Sequence, residues 1–317
     1  STCIWYNNGG NVTTPSSTYH KTVLLQETVQ GVLGKPGGFY IDVTFGGGGH
    51  TRALLLADPT CRVLAVDWDK KAIETNAQPF VEEFGNRFMW KWANFADLYM
   101  VLKREKITQV DGVIADFGTS QTQLKGAGFS FLTDTPLDMR MSKNFGVLTA
   151  AKLLEKADAK ELSHIFKTFG EEAHAWKIAK AIVESRDETP ITTTKILADL
   201  VTSVVPRQFP KPGAPRRVKT HPATKVFQAL RIVVNRELEH IDTLLKFVPK
   251  ILAPGGKFAC ISFHSLEDRL VKQAFKRDAD LLKLVVITPK PVTASEEELA
   301  QNASARSAKL RIAARPE

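Results

Sequence analysis

A chain of 317 residues with 43% hydrophobic side chains can bury a substantial core, and its length fits one elaborated domain or two. The formal net charge of +9 suits a phosphate-rich partner and equally suits plain solubility, so charge alone names no target. Three scattered cysteines, Cys3, Cys61 and Cys260, argue against a disulfide framework or a cysteine zinc site, and no window approaches the roughly 20 apolar residues of a membrane span.

Residues 1–18 are polar, lack the apolar centre of a secretory signal, and read as an extension or a processed organellar terminus. Thr22 to Leu33 then suggests a short helix, and GGFYIDVTF a strand running into a glycine turn. His50 to Ala57 reads as helix. In CRVLAVDWD the unbroken apolar run Val63 to Val66 suits a strand covered on both faces of a parallel sheet. Helix over Lys70 to Phe84, strand over Phe88 to Trp92, helix over Asp97 to Lys103 and the strand VDGVIADF continue the alternation. The fold class expected is α/β with a parallel sheet.

From about Gln121 to Thr220 strand signals vanish. Leu162, Ile165, Phe166 and Phe169 mark one helical stripe, and Trp176, Ala179 and Val183 another. This helical insertion ends in the basic, proline-rich RQFPKPGAPRRVK, an expected exposed loop. One long helix is suggested by Phe227, Leu230, Val234, Ile241, Leu245 and Val248; APGG makes a turn, KFACISF a buried strand, and KLLKLVVITPKPV through SAKLRIAA edge strands. The division expected is an extension at 1–18, a sheet domain at 19–120 and 221–317, and an inserted helical domain at 121–220.

The turn Asp42 to Thr51, DVTFGGGGHT, carries the chemistry. A dinucleotide fingerprint needs glycines at positions one, three and six, and every register fails, at Thr51, at Arg52 or at Thr44. What remains is Asp42, four residues before the glycine cluster, a spacing that resembles the first motif of Rossmann-like S-adenosylmethionine-dependent methyltransferases. Gly46, Gly48 and Gly49 would let the backbone pass close to the donor's amino-acid portion, with Asp42 toward its ammonium group; a tight turn without a ligand is the plainer alternative. Asp67, 18 residues after Gly49, matches the acidic position that binds ribose hydroxyls; helix capping is its other reading, but Asp69 directly precedes the helical run KKAIETNA and is the better cap, which leaves Asp67 for the ribose. Asn94 and Phe95 follow the third strand where an adenine would lie, although core packing also suits Phe95. Asp116 ends the fourth strand, over the edge where open α/β sheets bind ligands.

SFHSLEDR puts His264, Ser265, Glu267, Asp268 and Arg269 near the same edge. They suit either a group facing the target or a helix start capped by Ser265, with Glu267 and Asp268 favouring the dipole. Cys260 and His264 lack a second ligand pair, so no metal site is expected.

The segments HKTVLLQETV, YIDVTFGGGGHT, GFSFLTDTPLDMRM, GEEAHAWKIAKAIVESR, HPATKVFQALRIVVNRELEHI, APGGKFACISFHSLEDR and SARSAKLRIA together resemble the bacterial-type methyltransferases that modify N4 of a cytidine in small-subunit ribosomal RNA, a family with organellar members. The resemblance implies a Rossmann-like methyltransferase sheet with a helical insertion that recognises substrate, and S-adenosylmethionine as methyl donor. Its donor contacts fall by position on Gly48, Gly49, His50, Asp67, Phe95, Asp116 and Gln123; a surface cap in the first helical turn is the other role open to His50. The partner implied is small-subunit ribosomal RNA or its precursor particle, with ribosome-assembly proteins and a homodimer as further partners, in a mitochondrial matrix or a bacterial cytoplasm. Two stretches depart from the family pattern: Ser120 to Gln123 replace a Ser-Ser-Pro-Gln run, and the segment before GFSF is shortened to LKGAG. The departures keep open a second function, a catalytically impaired factor that binds immature small subunits.

Transfer to an exocyclic amine needs alignment and a group that draws on the N4 hydrogens. The candidates are Asp116 and Asp138 of PLDMRM; the Pro-Pro-aromatic motif of other amino methyltransferases is absent, since Asp116 is followed by Phe117, Gly118 and Thr119. The cytosine must leave its stack to reach the donor. For the RNA backbone the expectation falls on the Arg207 to Lys219 loop, with Lys211, Arg216, Arg217 and Lys219, helped by Arg140 and Arg231.

Overall fold

The structure, a computed structural model, describes residues 21–118, 128–143, 146, 148–206 and 220–317. The first part alternates as its apolar runs require: α1 (Leu25–Val32), β1 (Phe39–Asp42), α2 (Gly49–Ala57), β2 (Arg62–Asp67), α3 (Lys70–Phe84), β3 (Phe88–Trp92), α4 (Leu98–Arg104) and β4 (Val110–Asp116). Val63, Leu64, Ala65 and Val66 are all at most 1% exposed, because helices cover both faces of the sheet. Each valine or leucine so buried contributes about 1.5–3 kcal/mol. On one face Tyr40, Val63, Ala65 and Ile114 pack with α1, α2 and α3; on the other Ile41, Leu64, Val66 and Val113 pack with α4 and later helices.

The later elements are α5 (Ala150–Lys156), α6 (Ala159–Gly170), α7 (Ala175–Ser185), α8 (Thr194–Val204), α9 (Thr224–Val234), α10 (Glu237–Phe247), β5 (Leu252–Ser262), α11 (Ser265–Asp280), β6 (Val285–Val286), α12 (Glu296–Gln301) and β7 (Lys309–Ala314). Helices α5 to α9 enclose a separate core with Leu162, Phe166, Ile178, Ile182, Leu197, Phe227 and Leu230. Helix α9 thus shares the helical core although it lies beyond residue 220. Trp176 is 52% exposed, so the buried stripe of α7 is Ala175, Ile178, Ala179 and Ile182 and does not include it.

The long helix expected across 227–248 is broken. Arg236 sits at φ 51° in the left-handed region, and the preceding Asn235, 3% exposed, spends its side chain on other backbone. Its Nδ2 donates to the carbonyls of Met139 (2.8 Å) and Arg231 (2.9 Å), and its Oδ1 accepts from the Met141 N–H at 2.8 Å. An amide that satisfies buried groups of the PLDMRM segment favours a helix end here, a contact that no local periodicity signals.

The sheet order is β3-β2-β1-β4-β5-β7-β6 among the described residues. Strands β1 to β5 are parallel, while β7 runs antiparallel beside β5 and β6 pairs with β7. The two C-terminal strands were expected at the edge; β7 lies inside, leaving the two-residue β6 as the edge. APGG is a bulge within β5, where the register to β4 shifts and Gly255 takes φ 75°. Strand order reverses between β1 and β4, and both strands end in a carboxylate, Asp42 and Asp116. That is the crevice where ligands of open α/β sheets bind.

Candidate functional site

Beyond β1 the chain still follows the sheet: the N–H of Val43 donates to Ile114 and that of Phe45 to Val66, both at 3.0 Å. The turn needs Gly46 at φ 53° and Gly48 at φ 81°, where a side chain would be strained. The protein itself, however, occupies the space of two missing side chains that were expected to leave room for a ligand. A Cβ on Gly48 would stand 2.5 Å from the Phe80 ring, and one on Gly49 would stand 1.7 Å from the Thr22 hydroxyl oxygen. Only Gly47 of the four faces nothing within 4 Å, so the turn is open toward a ligand at Gly46–Gly47. Asp67 Oδ2 accepts from the Gly46 N–H (2.6 Å) and Asn76 Nδ2 donates to the Gly46 carbonyl (2.9 Å), which clamps that opening.

Three carboxylates surround the turn. Asp42, 1% exposed, accepts from the Thr51 hydroxyl (2.8 Å) and the Thr44 N–H (3.1 Å), and burial pushes its carboxyl up to about 6. Asp67, 7% exposed, accepts from the N–H groups of Gly46 and Asp69 and is likewise raised by burial to about 6. Asp116 accepts from the Gly118 N–H at 3.2 Å, its own N–H donates to the Thr44 hydroxyl at 2.7 Å, and burial raises it to about 7, aided by the Asp42 charge. Asp42 is therefore a buried turn-holder, and any contact it makes with an ammonium group passes through this hydrogen-bonded frame. As expected, Asp69 caps α3, accepting from the Ala72 N–H at 3.0 Å.

His50 is buried at 4% exposure and caps no surface turn. Its Nε2 lies 3.2 Å from the Val23 carbonyl, an acceptor, so Nε2 carries the proton and the Nδ1 lone pair faces Asp116 Oδ2 at 3.9 Å. Burial lowers the imidazole to about 4, so this contact is a neutral ring beside a carboxyl and not an ion pair. Three carboxyls raised by burial, with no Lys or Arg ion-paired to them among the described residues, suit a ligand with fixed positive charge. S-adenosylmethionine, with a sulfonium and an ammonium, meets that requirement.

On the adenine side Asn94 accepts from the Ala96 N–H (3.0 Å) and places Nδ2 3.2 Å from His240 Nδ1. His240 meets the Trp68 ring edge-on at 5.2 Å, and Phe95 packs against Phe117 at 5.7 Å. His240 arrives from α10, far along the chain, and no local pattern marks it.

The proposed target residues are held differently. Asp138 is forked to Arg140, Oδ1 to Nε at 2.7 Å and Oδ2 to Nη2 at 2.8 Å, and this pairing keeps its carboxyl below the usual range. Arg140 also donates to the Gly146 carbonyl at 2.9 Å, so its guanidinium is committed within the protein rather than extended toward RNA. Arg231, also expected at the RNA surface, is turned inward with its Nε 3.0 Å from Glu237 Oε1. Gln123, Lys211, Arg216, Arg217 and Lys219 lie outside the described residues.

At the β5 end, His264 and not Ser265 caps α11, accepting from the Glu267 N–H at 3.4 Å. Ser265 instead donates to Glu171 at 3.0 Å, and Asp268 is engaged with Arg311 at 2.7 Å. Glu267, 2% exposed, accepts from the Phe263 N–H at 2.9 Å, and burial with the Glu237 charge pushes it up to about 8. Ligand atoms of Glu237, His264 and Glu267 fall within 4.8 Å of one another. Glu237 is already forked to Arg231, His264 Nδ1 accepts a backbone N–H, and His264 Nε2, 3.4 Å from Glu267 Oε1, has no hydrogen-bond partner among the described residues.

The chain matches the MraW methylase family over residues 17–316. A ribosomal RNA small subunit methyltransferase H of Cyanothece sp. is 46% identical over 298 residues, covering 93% of this chain and 94% of that protein. The protein of that name from Magnetococcus marinus is 44% identical over 320 residues, covering 94% and 98%. That from Nostoc punctiforme is 46% identical over 296 residues, covering 93% of each.

Proposed function

Because the chain belongs to the MraW methylase family, we propose that it transfers a methyl group from S-adenosylmethionine to N4 of a cytidine in small-subunit ribosomal RNA. The observation that carries this reading is the set of carboxyls around a glycine turn at the β1/β4 crevice, Asp42 and Asp67 buried and Asp116 with 20% of its side chain exposed, all three raised by desolvation. The donor supplies a methyl already activated on a sulfonium.

The protein's part is alignment and proton handling. Asp67 receives the ribose hydroxyls with the lone pairs left by its two backbone contacts, Phe95 and Asn94 flank the adenine, and Asp42 keeps the turn in register through Thr44 and Thr51. The N4 lone pair of cytosine is delocalised into the ring, so nitrogen attacks well only as its hydrogen is drawn away. Asp116 is the acceptor we assign, since a carboxylate raised to about 7 binds a proton near neutral pH, whereas Asp138 is paired with Arg140 and is the weaker base. With Arg140 and Arg231 committed inward, phosphate contact falls to Lys211, Arg216, Arg217 and Lys219. The organellar part of the reading, work in a mitochondrial matrix, rests only on the resemblance to a family with organellar members, and fractionation of cells expressing the tagged protein tests it.

Methyl transfer from labelled donor to small ribosomal particles, with the product nucleoside identified, tests the function. Label in N4-methylcytidine is expected; donor binding without transfer would instead favour an assembly factor that uses the fold to hold immature subunits. Asp67→Ala is expected to weaken donor binding about tenfold or more, through loss of hydrogen bonds to a charged group, and to leave RNA affinity unchanged. Equal donor affinity by calorimetry in variant and parent removes Asp67 from the site.

A further inference from the structure

The donor turn is covered by a short segment that precedes α1, and this segment is tied to the far end of the chain. Thr22 fills the space beside Gly49 that a side chain there would take, with its hydroxyl oxygen 1.7 Å and its Cβ 2.8 Å from where a Gly49 Cβ would stand. The next residue, Val23, is 1% exposed, and its carbonyl holds His50 Nε2 at 3.2 Å. Leu24, fully buried, sits at φ 49°, in the left-handed region where a Cβ crowds the backbone. Something must hold it there, and its N–H donates to Glu298 Oε1 of α12 at 2.8 Å. Asn302, 8% exposed, donates from Nδ2 to the Lys21 carbonyl at 2.9 Å, and Lys21 Nζ bonds Gln301. Ser295 caps α12 by accepting from the Glu298 N–H at 3.2 Å, and the Asn302 N–H closes it onto the Glu298 carbonyl at 2.7 Å. Glu298 and Asn302 are therefore fixed relative to each other and grip both ends of residues 21–24.

We propose that residues 21–24 form a strap that holds the glycine turn and His50 in the donor-binding arrangement, and that Glu298 and Asn302 are positioning residues acting on the donor site through it. The inference rests on the reading of that turn as the donor site. Its physical content is simple: Asp67, Asn76 and the neighbouring strands hold the turn at Gly46, while its Gly49 end and His50 are packed against Thr22 and Val23, so that end is only as fixed as the strap. The strap's described polar ties run to α12 and Asn302 through Lys21 and Leu24, to His50 through the Val23 carbonyl, and to Thr28 of α1 through the Leu24 carbonyl.

The test uses the full chain. Glu298→Ala should weaken S-adenosylmethionine binding by calorimetry about tenfold, the size expected for loss of a hydrogen bond to a charged group, while Glu298→Gln, which keeps an acceptor, should restore most of it. The His50 imidazole supplies a readout that a general loss of stability would not move. In the parent its nitrogen NMR shifts should report a neutral ring with the proton on Nε2 throughout pH 5 to 8, since burial holds it near 4 with Asp116 facing Nδ1. In Glu298→Ala the ring should lose that single tautomer and begin to titrate toward its ordinary value of about 6.5. Asn302→Ala, which leaves the Leu24 bond in place, should give the same changes at smaller size and carries the test if Glu298→Ala fails to fold. Parent-like donor affinity and an untitrated His50 in the folded variants overturn the strap. If the parent itself binds no donor, the functional reading falls, and the His50 signature still judges the strap.

Discussion

Asp116→Asn is expected to lower methyl transfer about 10³-fold, within the range for removing a positioned general base. The amide is nearly the same shape and keeps an oxygen for the Gly118 N–H, so the fold should survive; what it cannot do is take a proton from N4. The pH dependence of the parent gives an independent reading. Burial raises Asp116 to about 7, so the ionised acceptor is lost as pH falls, and kcat/KM should drop tenfold per unit below that value. Bound donor brings a sulfonium cation that favours the carboxylate, so the same limb in kcat should lie at lower pH. Other groups titrate nearby: Asp42 and Asp67 at about 6, Glu267 at about 8, with His50 neutral throughout. Glu267→Gln removes the group at about 8, and Asp116→Asn decides among the rest, because the limb at about 7 must persist in the first variant and vanish in the second. An Asn variant within tenfold of the parent, with the limb unchanged, would return the role to another group.

Arg231→Met should destabilise the protein by about 3 kcal/mol, the lower end of what is found when one partner of a buried ion pair is removed. The guanidinium stands between the seam of α9 and α10 and the start of α11, forked to Glu237, and it offsets the charge near Glu267. Without it Glu237, 11% exposed in its side chain, loses the guanidinium that donates to both of its carboxylate oxygens. Against a total stability of about 5–15 kcal/mol such a loss is readily measured by denaturant titration. The same variant decides between two roles. An arginine that touches RNA phosphate would, on removal, lower the slope of log affinity against log salt by about one and leave stability alone. The inward geometry predicts the opposite pattern.

Helix and strand positions in the sheet domain were legible because burial on both faces demands long apolar runs, as in Val63 to Val66, and because Asp69 announces a helix start. The acid-ended strands and the glycine turn were legible for a related reason. Ligand binding at a sheet edge recruits residues from strand ends, and each lies next to its strand in sequence. Where local pattern misled, a distant partner had changed the outcome. Asn235 ends a helix that its flanking apolar residues would continue, since it serves the backbone of Met139 and Met141. Trp176 fits a helical stripe by spacing but faces outward, because α6 and α8 meet α7 on the side of Ile178 and Ile182. Arg140 and Arg231 are a different case: their carboxylate partners, Asp138 and Glu237, lie two and six positions away, and only the fold turns the guanidinium groups toward them.

The glycine turn divides along the same line. That this stretch is a strand-to-helix turn with an acid before it, and no dinucleotide fingerprint, follows from ten consecutive residues. Why Gly48 and Gly49 must be glycine does not. Gly48 yields its space to Phe80 and Gly49 to Thr22, residues 32 positions after and 27 before. The chain could announce the turn because backbone conformation is set locally; only the folded molecule could say what presses on it, because packing is set by residues the sequence keeps apart.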